Sequence, residues 1–252
     1  MPCGFDRFGT PPTVDFRPMK SLSDLRELLM DIRKRPAGHF REPCYEKLCA
    51  FIRGIEYAVT YPLMDGFHEK ITAAGAPPNL VWESGLLYVV VEGSHGDMDI
   101  VITDPEADFH ACRELLDRLV EHLDGRAAGR RRRSGGSQAL PGKSPAQIRE
   151  LLMRLRKRTG MFVRDPYYEK VCCFVRGLDS ALDFSLTAGL RERVIAAGGP
   201  PNLGWDHGFL HVMFRNDPDP VRTALTGKDA DVRVTTTLLD LIMGRMDAGT
   251  DN

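Results

Sequence analysis

The chain matches itself. Slid by 123 positions, residues 26–91 align with 149–214 without a gap, and 32 of the 66 aligned positions are identical. Arg33-Lys34-Arg35 recurs as Arg156-Lys157-Arg158, Tyr45-Glu46-Lys47 as Tyr168-Glu169-Lys170, and Pro77-Pro78-Asn79-Leu80 as Pro200-Pro201-Asn202-Leu203. A period this long lies far beyond the roughly 20–50 residues of a solenoid unit, so it marks a tandem duplication of one fold and not an open array.

The repeat sets the boundaries. Residues 1–20, with Pro2, Gly4, Gly9, Pro11, Pro12 and Pro18, read as a flexible arm. The first repeat domain is expected over 21–125 and the second over 144–252. Between them, residues 126–143 hold Arg130-Arg131-Arg132-Arg133, Ser134-Gly135-Gly136-Ser137 and Pro141-Gly142, the composition of a basic flexible linker. The net charge of −1 is misleading. The first 125 residues carry 13 basic and 21 acidic side chains, the linker six basic and no acidic, and the remainder 15 and 14.

Each copy opens on a helix. Ser144, Pro145 and Gln147 supply an N-cap, a first-turn proline and the distal half of a capping box, and Ser21 begins the counterpart. Leu25, Leu28, Leu29 and Ile32 recur at helical spacing, as do Ile148, Leu151, Leu152 and Leu155. A second helix follows Pro43 and Pro166, and a third passes through Leu63, Phe67 and Ile71 to stop at Gly75. Then the pattern changes. The apolar run Leu86–Glu92 and the alternating Asp97–Thr103 read as a β-hairpin around Gly93-Ser94-His95-Gly96, with Phe209–Phe214 and Asp229–Thr235 as the second pair, separated by a longer loop. A closing helix carries Leu115, Leu116, Leu119 and Val120, matched by Leu238, Leu239, Ile242 and Met243. The predicted unit is ααα-ββ-α, an α+β fold, with an all-α unit as the fallback if the Leu80–Val91 run is buried helix.

Duplication allows an internal comparison: what both copies keep serves a job both share. Glu46, Lys47 and Arg53 fall off the apolar stripe of the second helix and recur as Glu169, Lys170 and Arg176. That face is a candidate recognition surface, or the contact between the halves, with Arg53 and Arg176 as anchors for a carboxylate; the plainer reading is a solvated helix face. Trp82 and Trp205 each follow Asn79 and Asn202 by three residues, as core plugs or as walls of a pocket. His207 and His211 are four apart beside Asp206, but Ser84 and Tyr88 stand there in the first copy and no third ligand is identifiable, so no metal site is assigned. The six cysteines form no Cys-x-x-Cys pair, and Cys49 and Cys172 fall in the apolar phase of a helix. Among the surface charges of the first copy, Glu92, Asp97, Asp99, Asp104, Glu106 and Asp108 form a candidate acidic face for a basic protein partner.

No nucleophile elbow, phosphate-binding loop, dinucleotide fingerprint or His-Glu-x-x-His occurs, so no catalytic residue and no cofactor is assigned, and the pattern favours binding over catalysis. The arginine linker would suit nucleic acid, but it lacks interleaved aromatics, and nucleic-acid binding stands only as an alternative. With no membrane span or export signal, a cytoplasmic protein is expected.

Arg33-Lys34-Arg35-Pro36, Tyr45, Phe51-x-x-Gly54 and Asn79-Leu80-x-Trp82 together resemble a group of small bacterial proteins, some of them similar to immunity proteins of toxin systems. The resemblance covers about 70 residues of each copy, and Thr159 replaces the proline in the second. It implies a binding module in which two linked copies stand in for a dimer, leaving a monomer with pseudo-two-fold symmetry or a weak homodimer. A small-molecule binder or enzyme with a pocket at the Asn/Trp loop is the second reading.

Overall fold

The structure, a computed structural model, describes residues 21–60, 63–91, 103–134, 140, 142–215, 217 and 219–248. The first copy consists of α1 (Leu22–Lys34), α2 (Pro36–His39), α3 (Tyr45–Ala58), α4 (Phe67–Ala73), α5 (Trp82–Val90) and α6 (Pro105–Ser134). The second consists of α7 (Pro145–Lys157), a 3-10 turn at Thr159–Met161, α8 (Tyr168–Ala181), α9 (Leu190–Ala196), α10 (Trp205–Met213), α11 (Pro220–Thr226) and α12 (Lys228–Ala248). The α+β expectation is therefore corrected to all-α. Among the described residues there is no strand; Val59 and Gly142 form an isolated bridge.

Packing explains why the strand reading fails. Leu86 and Leu87 are neighbours and both fully buried, whereas on a strand with one face in the core one of the two would point outward. The run is helix α5, held between α4 and α6, and the burial of Leu86 and Leu87 against them overrides the β preference of its half-buried valines. In the second copy, Val232 is 57% exposed and Val234 fully buried. Two residues apart on a strand they would share a face; on helix α12 they lie about 200° apart. Residues 92–102 of the expected first hairpin lie outside the described residues.

The 123-residue offset persists beyond the aligned block, into the last helices. Asp108 accepts the Tyr45 backbone N–H at 2.8 Å, and Asp231 accepts that of Tyr168 at 2.5 Å. Arg33 pairs with Asp117 and Arg26 with Asp124, as Arg156 does with Asp240 and Arg149 with Asp247. The counterpart of Asp229–Thr235 is thus the start of α6, so the two copies are equally long between these landmarks. Helices α1 and α7 lie along α6 and α12. Each opens on a complete capping box, Ser21 with Asp24 and Ser144 with Gln147, a cap contributing about 1 kcal/mol. Each buries one apolar stripe, Leu22, Leu25, Leu29 and Ile32 in α1 and Ile148, Leu151, Leu152 and Leu155 in α7.

The two copies share one continuous core. Its axis is the pair α3 and α8, by far the most extensive helix contact in the molecule. They run side by side in the same direction: residues 46 and 47 meet 169 and 170 near their starts, and Phe51 and Gly54 meet Phe174 and Gly177 a turn further on. A Cβ on Gly54 would lie 2.0 Å from the Phe174 carbonyl oxygen, and one on Gly177 would lie 1.9 Å from that of Phe51. Only hydrogen fits at either position. α6 continues to Ser134, so the start of the segment expected as linker is helical. At its far end Lys143 donates its backbone N–H to Ala58 and its ammonium to the carbonyl of Val59, pinning the chain beside the end of α3 before the second copy begins.

Candidate functional site

The close approach of α3 and α8 decides the fate of the charges on their first turns. Lys47 Nζ lies 2.7 Å from Glu169 Oε2, and Lys170 Nζ lies 2.8 Å from Glu46 Oε1. These are two crossed ion pairs related by the pseudo-two-fold axis, with the lysines almost wholly buried. Lys47 also donates to the carbonyls of Arg41 and Glu42 at 3.0 and 3.2 Å, which uses all three ammonium protons. Burial works against its charge, but the Glu169 carboxylate holds its pKa above the ordinary lysine value. Glu46 and Glu169 are thus each paired with a lysine of the other copy, the contact between the halves that was one reading of this face.

Arg53 and Arg176 are likewise occupied inside the protein. Arg53 pairs with Glu83, and Arg176 Nη2 lies 2.9 Å from Asp206 Oδ2. Their guanidinium carbons lie 5.9 and 5.4 Å from the ring centroids of Trp82 and Trp205, within cation–π range. The tryptophans are buried, and Trp82 stands edge-on to Phe67. Asn79 and Asn202 are exposed on the preceding loops. Burial pushes the Asp206 carboxyl up, but the Arg176 guanidinium and His207 outweigh it, leaving the pKa below the usual range. Tyr45 and Tyr168 lock the same corners by donating to the carbonyls of Glu83 and Asp206. A repeated Tyr–Arg–acid–Trp arrangement therefore fastens α5 and α10 to the central pair. It was legible as a repeated set of residues, but the acid partners Glu83 and Asp206 were not singled out; the signal was an acid of either length kept one residue after each tryptophan.

The symmetry breaks at a polar contact across the seam. Arg164 reaches Ser84 Oγ at 3.5 Å in one direction, and Arg41 Nη1 reaches His207 Nδ1 at 3.2 Å in the other. A guanidinium only donates, so Nδ1 accepts and the His207 proton sits on Nε2. That nitrogen is 3.9 Å from Glu169 and 4.0 Å from Asp206. Burial drives the His207 pKa below its ordinary value, with Arg41 adding to the fall and the two carboxylates opposing it, so the ring is neutral at pH 7. His207 and His211 line an open cleft of about 680 Å³ across the seam, with Arg41, Glu169, Asn202 and Arg222. Arg53, Trp82, Asn79 and His68 of the first copy, with Lys143, line another of about 670 Å³. No group of three or more His, Cys, Asp or Glu suited to a metal occurs among the described residues.

Cys49 and Cys172 lie in the core, where burial pushes both thiols well above their ordinary range, the opposite of an activated nucleophile. Of the candidate acidic face, Glu92, Asp97 and Asp99 lie outside the described residues. Asp104 caps α6 by accepting from Glu106 and Ala107, and Asp108 caps α3 through Tyr45, which leaves Glu106 as the exposed acid without a structural task. No helix among the described residues is long and apolar enough to cross a membrane. Comparison with protein-family models, curated proteins and solved structures finds no match.

Proposed function

We propose that the chain is a non-catalytic protein-binding module of the immunity type that its motifs resemble: a fused pseudo-dimer whose acidic first copy meets a basic protein partner. One observation carries the reading. The charged residues that both copies keep on the central helices are occupied inside the protein, Lys47–Glu169 and Lys170–Glu46 between the copies and Arg53–Glu83 and Arg176–Asp206 within each. The exposed surface on which the copies differ is where a partner would select one copy over the other, and the largest difference is the acidity of the first. Acidic surface speeds and orients encounter with a basic protein without any catalytic group.

Affinity purification of the full chain from its native host, with mass spectrometry of the bound fraction, tests this. A basic protein at one-to-one stoichiometry, released by salt, supports the reading. A bound metabolite with no stoichiometric protein overturns it in favour of a small-molecule function at the seam clefts.

A further inference from the structure

The two arginines that reach across the seam are mounted alike. Arg41 and Arg164 stand on matching turns whose next residues, Glu42 and Asp165, are left-handed at φ 49° and 41°. The carbonyls of both arginines accept from a buried lysine, Lys47 at 3.0 Å and Lys170 at 3.3 Å. Their backbones are therefore held, and each side chain, more than half exposed, is the movable part. Each guanidinium ends on a buried side chain of the other copy, His207 for Arg41 and Ser84 for Arg164.

Acid acts differently on the two contacts. A serine hydroxyl accepts a hydrogen bond at any pH, whereas an imidazole accepts only through a nitrogen that carries no proton. Here that nitrogen is Nδ1, 3.2 Å from Arg41 Nη1. A second proton on the ring must go to Nδ1, because Nε2 already holds the first. Nδ1–H would then face a guanidinium that can only donate, so the protonated ring and the Arg41 contact exclude each other. The charges around the ring are mixed. Glu169 from α8 and Asp206 from α10 favour the imidazolium, while burial, Arg41 and Arg176 oppose it. Both acids approach Nε2, at 3.9 and 4.0 Å, and are tied to Lys47 and Arg176, so neither replaces Arg41 at Nδ1. His211, Asp219 and Arg222 line the adjoining cleft.

We infer that His207 and Arg41 form an acid-released latch on one side of the seam: protonation of the imidazole at Nδ1 expels the Arg41 guanidinium into the open cleft of about 680 Å³ beside it, while Arg164 stays on Ser84. Glu42, 4.0 Å from Arg41 Nε, is at hand for the released side chain. The proton comes from solvent and returns to it as the pH rises, so the device is reversible and needs no ligand. In acid the cleft gains one positive charge at a face where the copies meet. The latch is independent of which partner the chain binds.

The test is nitrogen-15 NMR of the full chain from pH 8 to pH 5, following the histidine ring nitrogens and the arginine Nε–Hε signals. His207 Nδ1 should pass from unprotonated to protonated with a midpoint below 6.5. The Arg41 signal should move along the same curve, and the Arg164 signal should not move. His207→Ser, which builds the first copy's arrangement into the second, should abolish the pH response of Arg41. His211→Asn, in the same cleft, should leave that response unchanged. Urea unfolding of Arg41→Ala, His207→Ser and the double variant should show several-fold coupling in the unfolding constant at pH 8 and none at pH 5. An Arg41 signal that holds its place while His207 titrates, an Arg164 signal that moves with it, a His207 ring that stays neutral to pH 5, or coupling that persists at pH 5 would each overturn the inference. The wild-type curves carry this test even where a variant does not fold.

Discussion

Replacing Gly54 by alanine tests whether the molecule is one body built on α3 and α8. In an exposed helix interior the substitution stabilises by about 1 kcal/mol, because alanine loses less backbone freedom on folding. Here the new methyl would meet the Phe174 carbonyl oxygen at 2.0 Å, the Leu178 nitrogen at 2.8 Å and the Phe174 carbonyl carbon at 2.9 Å. Ordinary contact needs more than 3.4 Å, and all three obstacles are backbone, so no side-chain rotation relieves them. The helices must part by more than an ångström. Parting lengthens the Lys47–Glu169 and Lys170–Glu46 contacts of 2.7 and 2.8 Å and loosens the shared core along the pair. Overpacking costs about 1–3 kcal/mol, sometimes more, and strained buried ion pairs add to it.

The expected outcome is a net loss of about 2–4 kcal/mol of unfolding free energy for Gly54→Ala, and the same for Gly177→Ala, whose methyl would meet the Phe51 oxygen at 1.9 Å. Urea unfolding measures it, through a lowered midpoint at nearly constant slope. Gly244→Ala is the control: that glycine lies inside α12 with nothing within 4 Å of the added methyl, so the substitution should stabilise by about 0.5–1 kcal/mol. The double variant should cost less than the two singles combined, since helices that have parted for one methyl have made room for the other. A Gly54→Ala protein as stable as wild type would show that α3 and α8 are not in contact and would remove the basis of the fused-dimer reading.

The other expectations use the same denaturation assay or simple variants of it. Lys47→Met should cost about 3 kcal/mol by leaving Glu169 buried without its partner, and adding Glu169→Leu should recover most of the loss. Arg176→Ala should lower stability by a comparable amount, because the Asp206 carboxylate loses its cation, and should not produce a folded protein deficient only in ligand binding. His207 has a folded pKa below its unfolded value, so it contributes stability that is fully present above pH 6.5 and lost as pH falls below it through the folded pKa. A melting-temperature profile should therefore fall less steeply on the acid side of 6.5 for His207→Asn than for wild type, and parallel profiles would refute the assignment.

What the sequence showed and hid follows from the range of the interactions. The capping boxes at Ser21 and Ser144 and the apolar stripes of α1 and α7 are local, and local spacing reveals them. The segment after Asn79 is decided by contacts with α4 and α6, and a run such as Leu86-Leu87-Tyr88-Val89-Val90 carries no period that separates a buried helix from a strand. The candidate site was half legible. Repetition of Glu46, Lys47 and Arg53 in the second copy marked them as important, and contact between the halves was among the readings. The pairing itself depends on Gly54 and Gly177 bringing two helices within backbone contact across 123 residues of chain, and no spacing rule expresses that.

Duplication reverses the usual inference from sameness to function. A homodimer of this unit would present identical halves, and any substitution on one face would appear on both. Fusion releases that constraint, but only away from the axis: Glu46 cannot change without leaving Lys170 buried and unpaired, and no substitution in the other copy makes room at Gly54, where the obstacle is backbone. The ion pairs and the glycine contacts at the axis are thus held alike by packing, whatever the protein does. Residues away from the axis are free to differ, as Tyr57 and Ser180 already do. Ser84 and His207 stand at the border, symmetry-related and still bridged by matching arginines, yet only His207 can change charge near neutral pH. Phe109 and Val232, at matching positions beyond it, are both exposed. Function is therefore to be sought along the border and outside it, where a substitution leaves what joins the copies untouched.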